Sequence, residues 1–251
     1  MIRTVLVGSL VCALTIGATD AAAQTWNGGY VGANAGVAVG KADATTSLPD
    51  AGDYFASTSV TSINANGPFE LKPKGFLAGG QVGFNVQGGA GVFGIEADFG
   101  LMDLSETGLV TVEYPCCAGT DYTIAQTVET TWLLTVRPRV GIAAGNVLVY
   151  GTGGLAMTSV AYDATFGDTF AAASARAAVD ERRTGWTVGG GLEVQGGRVS
   201  FKAEYLLADF GDTTMTSDNF EVFGGPDPTV TFDHVATLRV QVIRAGVNIR
   251  F

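Results

Sequence analysis

Few side chains in this sequence are of the kinds that break bonds or hold metals. Its single histidine, His234, stands in Asp233-His234-Val235, and serines are plentiful enough to give it a nucleophilic partner. A working Ser–His pair needs its serine on a sharp, exposed turn, and no Gly-x-Ser-x-Gly elbow supplies one. His234 is therefore expected to be a solvated loop residue. Glu96 and Asp98, two apart, could work as an acid–base pair, but Arg137, Arg139 and Lys202 are expected to face them and make them ion-pair partners instead. Cys116 and Cys117 are adjacent, a spacing compatible with a vicinal disulfide, two free thiols or an intermolecular bond. Without a nearby histidine they make a poor metal site. Asp43, Asp50, Asp53, Asp163, Asp168, Asp212, Asp218 and Asp227 lack the spacing of a calcium loop and read as a solvated acidic rim. No catalytic residue, metal or cofactor is expected.

The chemistry, if not catalytic, lies in how the chain is built. Glycine makes up 36 of 251 residues, about twice the usual ~7%. Only 15% of residues are charged, which excludes a coiled coil, and 47% are hydrophobic, which excludes a disordered chain. The net charge of −10 excludes nucleic acid as a partner, because a phosphate backbone needs a basic footprint. No run reaches the ~18 apolar residues of a spanning helix. At the start, Arg3, an apolar stretch over residues 5–16 and the small Ala21-Ala22-Ala23 read as a secretory signal peptide over residues 1–23, cut before Gln24. Cys12 follows Val11, where lipid attachment wants a small residue.

From there the pattern has period two, the signature of strands. Eight alternating segments cover residues 31–39, 76–87, 92–104, 132–142, 147–157, 184–194, 199–207 and 236–251. Short joins at 88–91, 143–146 and 195–198 take turns with long polar stretches at about 40–74, 105–131, 158–183 and 208–234. Regular exchange of short and long connections is what transmembrane barrels show, and four long external loops are expected.

The charges decide the facing. Glu96, Asp98, Arg137, Arg139, Glu193, Lys202, Glu204, Arg244 and Arg250 all fall in the phase opposite the apolar side chains. A lipid-facing Arg or Lys at mid-depth costs ~2–4 kcal/mol, so this phase must point into the lumen. Gly32, Gly36, Gly79, Gly83, Gly94, Gly141, Gly154, Gly189, Gly191 and Gly246 share it and make room for long side chains. A soluble barrel with an apolar core would expose these glycines, where they only weaken strands. Lipid also demands a fully paired backbone, which strands achieve only by closing. The expected fold is all-β, an eight-stranded antiparallel up-and-down transmembrane barrel over residues 24–251, its narrow lumen filled by a packed ionic network. Trp26, Tyr30, Trp132, Trp186 and Phe251 are expected at the membrane interfaces. Val247→Arg should then cost ~2–4 kcal/mol and Asn248→Arg, on the opposite phase, less.

The end of the chain, Arg244-x-Gly246-x-x-Ile249-x-Phe251, resembles the terminal signal read by the bacterial barrel-assembly machinery. Gly75-Phe-Leu-Ala-Gly-Gly-Gln-Val-Gly-Phe-Asn85 and Val92-Phe-Gly-Ile-Glu-Ala-Asp98 are similar to the OmpA/OmpX-like eight-stranded outer-membrane proteins, closest to the porin-family surface antigens of alphaproteobacteria. Thr135-Val-Arg-Pro-Arg-Val-Gly141, Val149-Tyr-Gly-Thr-Gly-Gly-Leu-Ala156 and Lys202-Ala-Glu-Tyr205 carry the same likeness. The resemblance implies a Gram-negative outer membrane, with lipids and the assembly machinery as partners and host or environmental surface ligands for the loops. It implies a structural, surface-interacting role; the alternative it leaves is a small-solute porin or channel. Pro138 stands where relatives often carry glycine and removes one ladder donor, so a bulge or local mispairing is expected there. Nothing after Phe251 matches the peptidoglycan-binding domain of OmpA, so cell-wall tethering is not implied.

Overall fold

Period-two alternation becomes eight long antiparallel strands in the computed structural model, which describes residues 25–251. The expected signal peptide, residues 1–23, lies outside them. The strands are β1 (Gly28–Ala51), β2 (Lys74–Gly88), β3 (Gly91–Glu113), β4 (Asp121–Ala144), β5 (Val147–Asp168), β6 (Ser174–Gly196), β7 (Val199–Ser217) and β8 (Val230–Arg250). Each pairs with the next, and β8 returns to β1 with Arg244 opposite Gly36. The ring is closed and leaves no spanning edge. Among the described residues one helix, α1 (Ser57–Asn66), follows β1 at the long-connection end, and the rest is nearly all β.

The strands outrun a membrane. β1 and β4 have 24 residues each, where a tilted span needs ~9–11. The stretches expected to be loops, 40–74, 105–131, 158–183 and 208–234, are in large part strand, and this corrects the sequence reading. The reason is a change of solvent outside the wall. In the lower half of β1 the outward residues are Val31, Ala33, Ala35, Val37 and Val39; further up they are Lys41, Asp43, Thr45 and Ser47. The inward residues change the opposite way, from Gly32, Asn34 and Gly36 to Ala38, Ala42, Ala44 and Leu48. β8 repeats the exchange, with Arg244 and Asn248 inward below and Val242, Val240, Leu238 and Ala236 inward above. Lipid bathes the lower wall and water the upper one.

Bulges add to the disguise. Inward residues are even-numbered up to Thr130 in β4 and odd-numbered from Leu133, because Thr131 and Trp132 both face outward. In β7 the frame slips at Gly211, whose φ of +67 suits a residue without a side chain. Pro138, where a bulge or local mispairing was expected, causes no bulge; the ladder to β5 skips from Val136–Leu155 to Arg139–Thr152 across it, with the register kept. The proline faces outward and pairs in unbroken register with Ile95, and its carbonyl accepts a hydrogen bond from Thr152 Oγ1 at 2.8 Å.

Candidate functional site: a sealed lumen and an external tip

The inward phase of the lower barrel brings eight of the nine charges expected in the lumen into one network. Arg137 lies 2.8 Å from both Glu96 and Asp98 and 3.3 Å from Glu204. Arg244 bridges Asp98 at 2.7 Å and Glu204. Lys202 reaches Glu96 at 2.7 Å, and Arg139 reaches Glu193 at 2.7 Å. Four carboxylates meet four cations, so the cluster is neutral. Every member is buried. Charges withdrawn this far from water are tolerable only when their remaining lone pairs and protons are also met. Neutral side chains meet most of them, although Arg137 Nη1 and Arg139 Nε have no hydrogen-bond partner. Tyr30 and Tyr150 donate to Glu96 at 2.7 Å and Glu204 at 2.8 Å, and Thr135, Ser200 and Asn248 donate to Asp98 and Glu193. The Arg139 guanidinium also lies 4.0 Å from the centre of the Tyr150 ring.

Glycine is what makes the crowding possible. A Cβ on Gly36 would sit 2.6 Å from Arg244 Cα, so the strand beside this arginine has no space for a side chain.

The network is closed on both sides. Below it, Trp26 lies across the short-turn mouth, its indole N–H donating to Gly145 O at 3.3 Å. Arg250 does not join the carboxylates. It donates to Trp26 O at 2.6 Å and packs on the indole, 5.0 Å from its centre. Beside the ions, Asn34, Gln81 and Asn248 form a chain of amide hydrogen bonds at 3.0 and 2.6 Å. Above them an apolar plug of Leu77, Met102, Leu133, Leu206, Leu238 and Val242 fills the bore. The ionic filling expected for the whole lumen is thus confined to its lower part. Of the aromatics expected at the interfaces, Trp186 and Phe251 are outward and exposed and Trp132 is half-buried outward, but Trp26 and Tyr30 are lumenal. Their place beside Gly28 and Gly29 looked like a strand end; only the closed ring shows that it is also the mouth of the bore.

His234 is also corrected. It is buried in the upper bore between Thr46 Oγ1, 2.9 Å from Nδ1, and Ser217 Oγ, 2.8 Å from Nε2. The Ser–His pair exists, yet both members are buried, and burial holds the imidazole pKa down at about 4. Higher still, Phe55, Phe166, Phe220 and Phe232 form an aromatic cluster under α1. Cys116 and Cys117 are bonded to each other at this end. At the opposite end, Ile249 and Phe251 of the terminal pattern point outward, while Arg244 and Gly246 point inward, and the Phe251 N–H donates to Gly29 O at 3.0 Å.

Comparison with known proteins agrees with this architecture. The model of the outer membrane protein β-barrel domain family matches residues 8–251. The 31 kDa outer-membrane immunogenic protein of Brucella melitensis biotype 1 is 35% identical over 231 residues, 90% of this chain and 84% of that protein. Among solved structures, Neisserial surface protein A is similar over 89% of this chain and 97% of its own, at 15% identity and a TM-score of 0.34. The outer membrane protease OmpT of Escherichia coli covers the same shares at 9% identity and a TM-score of 0.36.

Proposed function

The chain belongs to the outer membrane protein β-barrel domain family and resides in the bacterial outer membrane, and from that premise we propose that it is a non-catalytic anchor holding its external end out to meet other surfaces. The observation that carries this reading is the sealed bore. A neutral cluster of buried ions is packed between the Trp26 floor and the apolar plug, an arrangement that argues against a path for solute. The Ser217–His234 pair is buried, which argues against hydrolysis by that dyad. At the external end Phe170 and Phe223 are 52% and 78% exposed, well away from the lipid-facing band. They put two apolar rings on the end that faces away from the membrane. A relative called immunogenic is consistent with an end presented outward.

Three kinds of partner follow. Lipids cover the outward band of Val31, Phe76, Ile95, Leu155 and Ile243. The assembly machinery reads the terminal strand through the outward Ile249 and Phe251. Host or environmental surface ligands meet the tip. The reading is tested by planar-bilayer conductance of the purified protein: the membrane is expected to stay silent. Steady ohmic steps would overturn the anchor and establish the small-solute channel.

A further inference from the structure

Above the aromatic cluster, at the very tip, lies a cavity of about 150 Å³ that no part of the barrel's sealing accounts for. Its walls are the rings of Tyr54, Phe55, Tyr114 and Phe170, and its floor includes the Cys116–Cys117 disulfide. The pocket opens to solvent at the tip, its lining is mostly apolar, and its volume is about that of a site known to accept a single benzene-sized ring. Aromatic walls favour an aromatic guest through edge and offset contacts, and divalent sulfur adds a favourable contact at a ring edge.

The polar groups of the wall are already spoken for. Tyr54 and Tyr114 both donate to Asp168 Oδ2, at 2.5 and 3.0 Å, and Ser59 Oγ donates to Cys116 Sγ at 3.5 Å. None of these groups calls for a charged or hydrogen-bonding ligand. The second carboxylate oxygen of Asp168 accepts the backbone N–H groups of Ala171 and Ala173, at 3.2 and 3.0 Å. The same turn holds Ala172 at a φ of +52, a left-handed conformation costly for a residue with a Cβ. One carboxylate therefore fixes two tyrosine walls and a strained turn that carries the half-exposed Phe170 ring, 6.3 Å from Tyr54. Strain kept up beside a cavity points to use of that cavity.

We propose that this tip pocket binds one uncharged aromatic ring, stacked among Tyr54, Tyr114 and Phe170 on the disulfide floor. The proposal deepens the anchor reading by giving its external end a ligand class, and it rests on that reading for its biological sense. The two fail separately: a conducting barrel leaves the pocket intact, and an empty pocket leaves the bore sealed.

The test uses the full-length protein folded in phosphatidylcholine nanodiscs and fluorine NMR of two probes. 4-Fluorophenol stands for a free small molecule, and an acetylated, amidated Gly-(4-fluorophenylalanine)-Gly stands for a ring carried on another protein. Saturable binding of either is expected, and which probe binds identifies the source. Ala56, at the start of α1, also lines the pocket; Ala56→Trp, which crowds it, and Phe170→Ala, which removes a wall, should each weaken binding by about tenfold or more. Both variants should still show the gel shift of a folded barrel between unboiled and boiled samples. Opening the disulfide with a phosphine reductant should weaken binding as well. Binding of neither probe beyond that of empty nanodiscs, or affinity unchanged in Ala56→Trp, would overturn the pocket; affinity unchanged after reduction would overturn the disulfide's part in it.

Discussion

Arg137 shows how a single residue comes to matter in this barrel. Its guanidinium is fully buried and touches three of the four lumenal carboxylates. Arg137→Met would leave those anions in a dry bore with one cation too few. Losing one member of a buried ion cluster costs about 3–5 kcal/mol, against at most ~1 kcal/mol for an exposed pair such as Arg239–Asp209. Urea unfolding in lipid vesicles should separate Arg137→Met from Arg239→Ala by that margin; similar midpoints would mean that the lumenal ions contribute little. His234 makes a second prediction, in pH. Its pKa falls from the unfolded value of ~6.5 to about 4 on burial, so between those limits the unfolded chain takes up a proton that the folded one refuses. Its contribution to stability is complete above ~6.5, declines as pH falls toward 4, and changes no further below that. The chain has no other histidine. The difference in urea midpoint between wild type and His234→Gln should therefore vary with pH only in that window, and a constant difference would refute the burial argument.

At the scale of the strand, what counts is which solvent each face meets. Val247 points outward within the lipid band, and Val247→Arg is expected to cost ~2–4 kcal/mol. The structure revises the expectation for its neighbour. Asn248 is completely buried and bonds both Gln81 and Glu193, so Asn248→Arg would have to push apart a filled layer. Both substitutions should lower stability, for opposite reasons. Moving from vesicles to a thinner or more fluid amphiphile should relieve Val247→Arg and leave Asn248→Arg as damaging as before. If both respond alike, the assigned facing is wrong. Outside the membrane the same strands keep their alternation with the two faces exchanged, which lets one sheet serve as a lipid-facing wall below and a water-facing wall above.

For the whole molecule, closure and assembly are separate matters. Phe251 adds one backbone hydrogen bond to the ring, and its side chain is 79% exposed. Deleting it should therefore hardly change refolding into vesicles in vitro. In cells it should cut the amount of protein in the outer membrane several-fold, because the terminal pattern is proposed to be read during insertion. Normal outer-membrane levels of the truncated protein, measured by fractionation and gel mobility, would dispose of that role.

Much of this was legible in the chain. Eight segments of alternating residues, with every lower-barrel charge in one phase, specify a ring with ions inside, since hydrocarbon accepts neither a bare charge nor an unpaired strand edge. Glu96, Asp98, Arg137, Arg139, Glu193, Lys202, Glu204 and Arg244 could be assigned to the lumen on that ground alone. Tertiary structure decided what lies beyond the membrane and who meets whom. The upper strands hid because their apolar phase changes face and bulges shift the frame at Trp132 and Gly211, so that strand looked like polar loop. Tyr30 and Tyr150 share the phase of the lumenal glycines Gly32, Gly36 and Gly154, so their facing was readable, but their carboxylate partners were not; Trp26 precedes β1 and has no phase to read until the wall closes. His234 came to rest between Thr46 and Ser217, 188 and 17 residues away, because β1, β7 and β8 lie side by side only once the ring has formed.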